Sequence, residues 1–123
     1  MKRDWDVVRA VLEQVEALGD QHFDGHGFSY TAESPEDEVT RIRHLLLLRD
    51  AGFVRGLAVD TLAGPGLLGP ELTWEGHELL GTIRSKTIWN RVKKLAADKG
   101  IELSFDVVKR LGKLALDQVL DGQ

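Results

Sequence analysis

Apolar residues recur at close to helical period in four stretches of the chain, and each stretch opens on a residue suited to capping a helix. In the first, Trp5, Val8, Val11, Leu12, Val15 and Leu18 lie between Asp4 and Gly19, which predicts a helix over residues 4–18 with Asp4 as N-cap. The second begins at Ser34, Pro35, Glu36 and Asp37, which supply a cap hydroxyl, a proline at the first helical position and first-turn acids. It should run to residue 51 and stop at Gly52, a left-handed C-cap from which Phe53 folds back on the last turn. The third follows Thr73, with Glu75 beside the first-turn NH groups. Leu79, Leu80, Ile83, Ile88, Val92 and Leu95 continue the period, predicting one long helix to Lys99 and Gly100. In the last, Ser104 caps a helix with Phe105, Val108, Leu111, either Leu114 or Ala115, and Val119 on one face.

Period-two patterning marks the strands. Phe28, Ser29, Tyr30 and Thr31 alternate, and residues 53–70 hold two strand-like pieces around the turn-rich tip Ala63, Gly64, Pro65 and Gly66. The predicted order is helix, strand, helix, two-stranded wing, long helix, C-terminal helix. This is an α+β, winged-helix-like single domain over residues 1–123, with a C-terminal helical extension from about residue 84. Its expected core is Trp5, Val8, Leu12, Ile42, Leu46, Phe53, Leu72, Leu80, Ile83 and Leu111. Between Pro35 and Gly52 the chain fits one helix where a standard helix-turn-helix fits two, so the other is lost or reduced to a stub. In that helix Val39, Ile42, Leu45 and Leu46 form one apolar face, while Leu48 falls nearly opposite and Leu47 to one side.

The opening Met1, Lys2, Arg3, Asp4, Trp5, Asp6, the box Leu72, Thr73, Trp74, Glu75, Gly76, His77, and the segment from Ile83 and Arg84 to Ile88, Trp89 and Asn90 resemble a known family. It is the phage- and prophage-associated family catalogued as domain of unknown function 2513, related to YjcQ-like winged-helix proteins. The resemblance covers nearly the whole chain. It implies a winged-helix fold and a mobile-element origin, and brings no activity or catalytic residues with it.

Charge alters this picture. The formal net charge is -4, without the large cationic excess of many nucleic-acid binders. Its distribution is uneven: from Arg84 onward nine basic residues face five acidic ones, a balance of +4, leaving -8 for residues 1–83. Arg84, Lys86, Arg91, Lys93 and Lys94 surround Trp89 and form the candidate nucleic-acid surface, with Arg41 as a secondary candidate. The conventional recognition helix carries Glu36 and Asp37 at the end that should approach phosphates, and the wing tip from Leu62 to Pro70 has no Lys or Arg. Two leucines, Leu67 and Leu68, occupy it instead; with Leu47 and Leu48 they are candidate partner-binding residues.

Catalysis has little support. The chain has no cysteine, which removes thiolate, disulfide and zinc-thiolate chemistry. His22, Asp24 and His26 lie in a glycine-rich stretch without a further ligand cluster, so no metal or other cofactor is expected. His77 beside Glu75 and Glu78 has no nucleophile motif to serve and is expected to be buried and hydrogen-bonded. No signal peptide or membrane span is evident, so a cytoplasmic, non-enzymatic protein without a small-molecule substrate is expected. Two functions remain: a winged-helix regulator that binds duplex DNA, or a module that engages a host or phage protein. Apolar residues on both sides of the 35–51 helix make a symmetric homodimer the expected assembly.

Overall fold

The computed structural model describes residues 3–18, 35–61 and 64–122. Among these residues the fold is α+β, with five helices and one two-stranded antiparallel sheet. The order is α1 (Trp5–Leu18), α2 (Pro35–Asp50), β1 (Val54–Thr61), β2 (Gly64–Leu72), α3 (Trp74–Arg84), α4 (Lys86–Lys99) and α5 (Phe105–Gly122). The expected strand at residues 28–31 lies outside the described residues. No helix among them is long and apolar enough to cross a membrane. The chain divides into two compact units, Met1–His77 and Glu78–Gln123, with the division falling within α3.

In the first unit α1 packs on α2, and both meet the β1–β2 hairpin. Asp4 caps α1 as its sequence suggests: its carboxylate accepts from the backbone N–H groups of Asp6 and Val7 at 2.9 and 3.3 Å. Val8, Val11, Leu12 and Val15 form the buried stripe of that helix, with Trp5 half-buried at its start. The core side of α2 is His44, Leu45 and Leu48, all at most 1% exposed, whereas Val39 is 50% exposed and Ile42, Leu46 and Leu47 are half-buried. The helix is rotated from the expected phase: Leu45 stays inward, Leu48 joins it, and Val39, Ile42 and Leu46 turn outward. Four consecutive leucines satisfy a buried stripe in more than one rotation, and the one adopted places Leu48 inward and Val39 outward.

A buried histidine helps fix that rotation. His44 Nδ1 donates to the Thr40 carbonyl at 2.8 Å, and Nε2 accepts the backbone N–H of Asp4 at 2.9 Å. An acceptor on one side and a donor on the other require the neutral ring with its hydrogen on Nδ1. The imidazole thereby satisfies a backbone donor at the start of α1 from within α2, compensating its own burial.

The end of α2 is a Schellman motif: Phe53 N–H donates to the Leu48 carbonyl and Gly52 N–H to the Arg49 carbonyl, with Gly52 at φ 90. β1 starts at once, pairing Val54 with Leu72 and Arg55 with Glu71; Gly69 and Pro70 of β2 then bulge opposite the single Gly56, with Gly69 at φ 61, and Leu57 pairs with Leu68. The strands continue to Thr61 opposite Gly64, so Gly64, Pro65 and Gly66 belong to β2. Arg55 and Glu71 form an ion pair at 3.3 Å across the hairpin base.

The chain then returns to the end of α2. Thr73 N–H donates to the Phe53 carbonyl at 3.0 Å. The Thr73 hydroxyl donates to the Gly52 carbonyl at 2.6 Å and accepts from Gly76 N–H at 3.1 Å, which makes it the N-cap of α3. A Cβ on Gly76 would overlap the Phe53 carbonyl oxygen, so this position admits only hydrogen.

In the second unit the expected long helix is two. Ser85 has extended backbone (φ -76, ψ 116), ending α3 and capping α4, where its hydroxyl accepts from Ile88 N–H at 3.2 Å. The apolar period continues across the break because Ile83 and Ile88 are both drawn inward, Ile83 fully and Ile88 in part. Gly100 at φ 67 closes α4 with a second Schellman pair, to Ala96 and Ala97. Ser104 caps α5 through Val107 N–H at 3.1 Å. α4 and α5 pack together, burying Trp89, Val92 and Ala96 from one and Val108, Leu111 and Ala115 from the other. Leu114 is 41% exposed, so Ala115 takes the inner position. Of the expected core residues, Val8, Leu12, Phe53, Leu72, Leu80, Ile83 and Leu111 are buried, and Trp5, Ile42 and Leu46 are half-buried.

Three substitutions test the close approach at Gly76 and the rotation of α2 by denaturant unfolding. Gly76→Ala should destabilise by about 3 kcal/mol, because a backbone oxygen must move to admit the methyl group. Leu45→Ala should cost about 2 to 5 kcal/mol and Leu46→Ala distinctly less. An unchanged midpoint for Gly76→Ala, or a larger loss from Leu46→Ala, would contradict the clamp or the helix phase.

Candidate nucleic-acid interface

α4 has two unlike sides. Trp89, Val92 and Ala96 recur at i, i+3 and i+7 and are buried, with Ile88 and Leu95 half-buried beside them. At about 100° per residue, Asn90, Lys93, Lys94 and Ala97 fall within about 80° of Lys86, and all five are exposed. The helix holds five basic residues, Lys86, Arg91, Lys93, Lys94 and Lys99, against one acid, Asp98. Its cations are exposed because the inner positions are wholly apolar; its positive balance is the largest of any helix in the chain.

The sequence-predicted cluster is placed as follows. Lys86, Lys93 and Lys94 share the outer face of α4 and form no ion pair with a described residue. Lys93 Nζ stands 6.0 Å from the centroid of the Trp89 ring, a cation–π contact at the helix flank. Arg91 is exposed but turned toward α5, donating to Gln118 Oε1 at 3.3 Å. Arg84 is exposed at the end of α3 and already engaged within the chain. Arg41 on α2 is half-buried and likewise engaged. Trp89 is only 9% exposed, so its indole serves the core and is closed to stacking on a base.

The partner-binding candidates fare differently. Leu48 and Leu67 are 0% and 1% exposed and belong to the core of the first unit, which withdraws them from any outer surface. Leu47 is half-buried, and the side chain of Leu68 lies outside the described residues. Among the described residues of this unit the large apolar groups that are open are Val39 on α2, Leu57, 63% exposed on β1, and Trp74, 74% exposed at the start of α3. Leu57 lies on the same outward side of β1 as Arg55, two residues before it, so regular strand alternation carries this apolar side chain to the outside. His77 is exposed, not buried as expected, because the first turn of α3 meets the chain through Gly76 instead. His22 and His26 lie outside the described residues. Asn90 shares the exposed face of these lysines, four residues from Lys86 and Lys94 and three from Lys93.

A family model described as "Hypothetical protein (DUF2513)" matches residues 2–102, and the chain belongs to that family. The match ends just beyond α4, leaving α5 outside it. A protein of Haemophilus influenzae, described as an uncharacterized protein, is 36% identical over 125 residues, covering 98% of this chain and 99% of the relative. No solved structure matches the chain.

If the outer lysines of α4 have no structural role, removing them should leave stability nearly unchanged. Lys86→Ala with Lys94→Ala should alter the unfolding free energy by no more than about 0.5 kcal/mol per site, while Trp89→Ala should cost about 3 to 5 kcal/mol. A large loss from the lysine pair in thermal unfolding would place those side chains in the fold, not on a binding face.

Proposed function

We propose that this chain is a non-enzymatic, winged-helix regulatory protein that binds nucleic acid through the outer face of α4. The carrying observation is the segregation of that helix: an apolar inner side, and an outer side on which Lys86, Lys93 and Lys94 are exposed without ion pairs to described residues. Such a face attracts a polyanion through counterion release even when the whole chain is acidic, since attraction at contact range follows local charge. The winged-helix reading is supported by the succession of α1, α2, the β1–β2 hairpin and α3. A phage or prophage origin rests on the family resemblance alone. α2 is a weaker candidate reader, with Glu36 and Asp37 in its first turn and Arg41 engaged within the chain.

A second reading, a module for a host or phage protein partner, is favoured by the exposure of Trp74 and Leu57. Large apolar side chains of this kind anchor protein interfaces when they are desolvated. A homodimer is one form that such an assembly takes.

Electrophoretic retardation or fluorescence anisotropy with a duplex at low salt tests the first reading. Binding should weaken with salt, and Lys93→Ala with Lys94→Ala should weaken it for all sequences while flattening the log–log salt slope by about 0.9 per lost contact. Arg41→Ala should change little. Absence of binding at low salt would overturn the reading in favour of the protein partner, and a dominant effect of Arg41→Ala would move the interface to α2.

A further inference from the structure

The outer face of α4 carries more than positive charge. Asn90 lies at its centre, with Lys86 one turn before it and Lys93 and Lys94 one turn after. Its side chain is exposed and has no hydrogen bond, ion pair or ring contact with any described residue. Asparagine is a weak helix former because its amide competes for local backbone groups, and it favours caps and turns. Here it stands mid-helix, away from the caps at Ser85 and Gly100, and makes no local bond. Neither packing nor capping accounts for it.

We propose that α4 enters the major groove of B-form DNA and that Asn90 reads an adenine, an inference that rests on the nucleic-acid function proposed above. A carboxamide offers one donor and one acceptor in a plane, matching the N6 amino group and N7 of adenine in the major groove. The three lysines around it supply phosphate contacts, which fix position without reading sequence. Lys86 and Lys94 are separated along the axis by about 12 Å, a span comparable with the width of that groove, about 12 Å. Thr87 and Ala97 are exposed and small, so nothing bulky stands between Asn90 and a base edge.

The same face disfavours other nucleic acids. Single-strand binding relies on exposed aromatic rings for base stacking, and the aromatic beside these lysines, Trp89, is 9% exposed with Lys93 at its ring. The deep, narrow major groove of A-form RNA does not admit a helix. A B-form duplex satisfies the lysines and the amide together.

The test is selection of the full chain on a pool of random-sequence duplexes at low salt, followed by sequencing and by affinity measurements on the selected duplex. The intact chain should enrich adenine at one position, with roughly five- to hundredfold preference over other bases there. Asn90→Ala, with a melting temperature no lower than that of the intact chain, should lose that preference. Lys93→Ala should weaken every sequence alike. If duplexes are bound but no base is enriched, or if Asn90→Ala keeps the same preference, the role of Asn90 is overturned while nucleic-acid binding stands. Tighter binding to single strands or to duplex RNA overturns the B-form assignment, and absence of binding to all of them overturns the underlying function as well.

Discussion

At Gly76 the first turn of α3 lies so close to the Phe53 carbonyl that no side chain fits, and most of the first unit is referred to that contact. Phe53 is the residue at which α2 has just closed and β1 is about to begin. Its N–H completes the Schellman end of α2, and its carbonyl accepts from Thr73 N–H. Thr73 reaches the neighbouring Gly52 carbonyl through its hydroxyl while capping α3. One short stretch therefore joins the end of a helix, both strand ends at the base of a hairpin, where Val54 pairs with Leu72, and the start of the next helix. Each hydrogen bond contributes modestly, on the order of 1 kcal/mol, but their shared partners make them act together. Within the stretch Leu72, Thr73, Trp74, Glu75, Gly76, His77, Thr73 and Gly76 thus have a structural role at this junction.

The charge distribution acquires a location. Residues 1–83 carry -8 and the remainder +4, but the positive residues of the later part are not equivalent. Arg110 pairs with Asp106 at 3.3 Å along α5, and Arg91 is turned to Gln118. The lysines of the outer α4 face are left toward solvent without an ion pair to a described residue, as are Lys99, Lys109 and Lys113, but on α4 three of them share one face. Such groups are available to phosphates at low cost, since no existing pair has to break.

Legibility in the sequence followed the chemistry of each signal. Helix ends marked by side-chain caps or left-handed glycine were correctly placed: Asp4, Pro35, Gly52, Thr73, Gly100 and Ser104 each mark a boundary found in the structure. Ser85 escaped because a serine hydroxyl caps a helix only if the backbone turns extended, and an unbroken apolar period on both sides gives no sign that it does. The rotation of α2 was hidden by its run of four leucines, and the hydrogen bonds of His44, to residues four and forty positions away, decide it in space. The basic face of α4 was legible as charge; the burial of Trp89, the diversion of Arg91 and the isolation of Asn90 required side-chain positions.

The central claim is that the outer face of α4 is the contact surface for a duplex. Backbone amide NMR of the isotope-labelled chain, titrated with a short DNA duplex at low salt, measures this directly. The account predicts that the largest shift changes fall on α4 between Lys86 and Ala97, with those of α2 and the β1–β2 hairpin remaining small. Changes concentrated on α2 or the hairpin, with α4 unaffected, would contradict it.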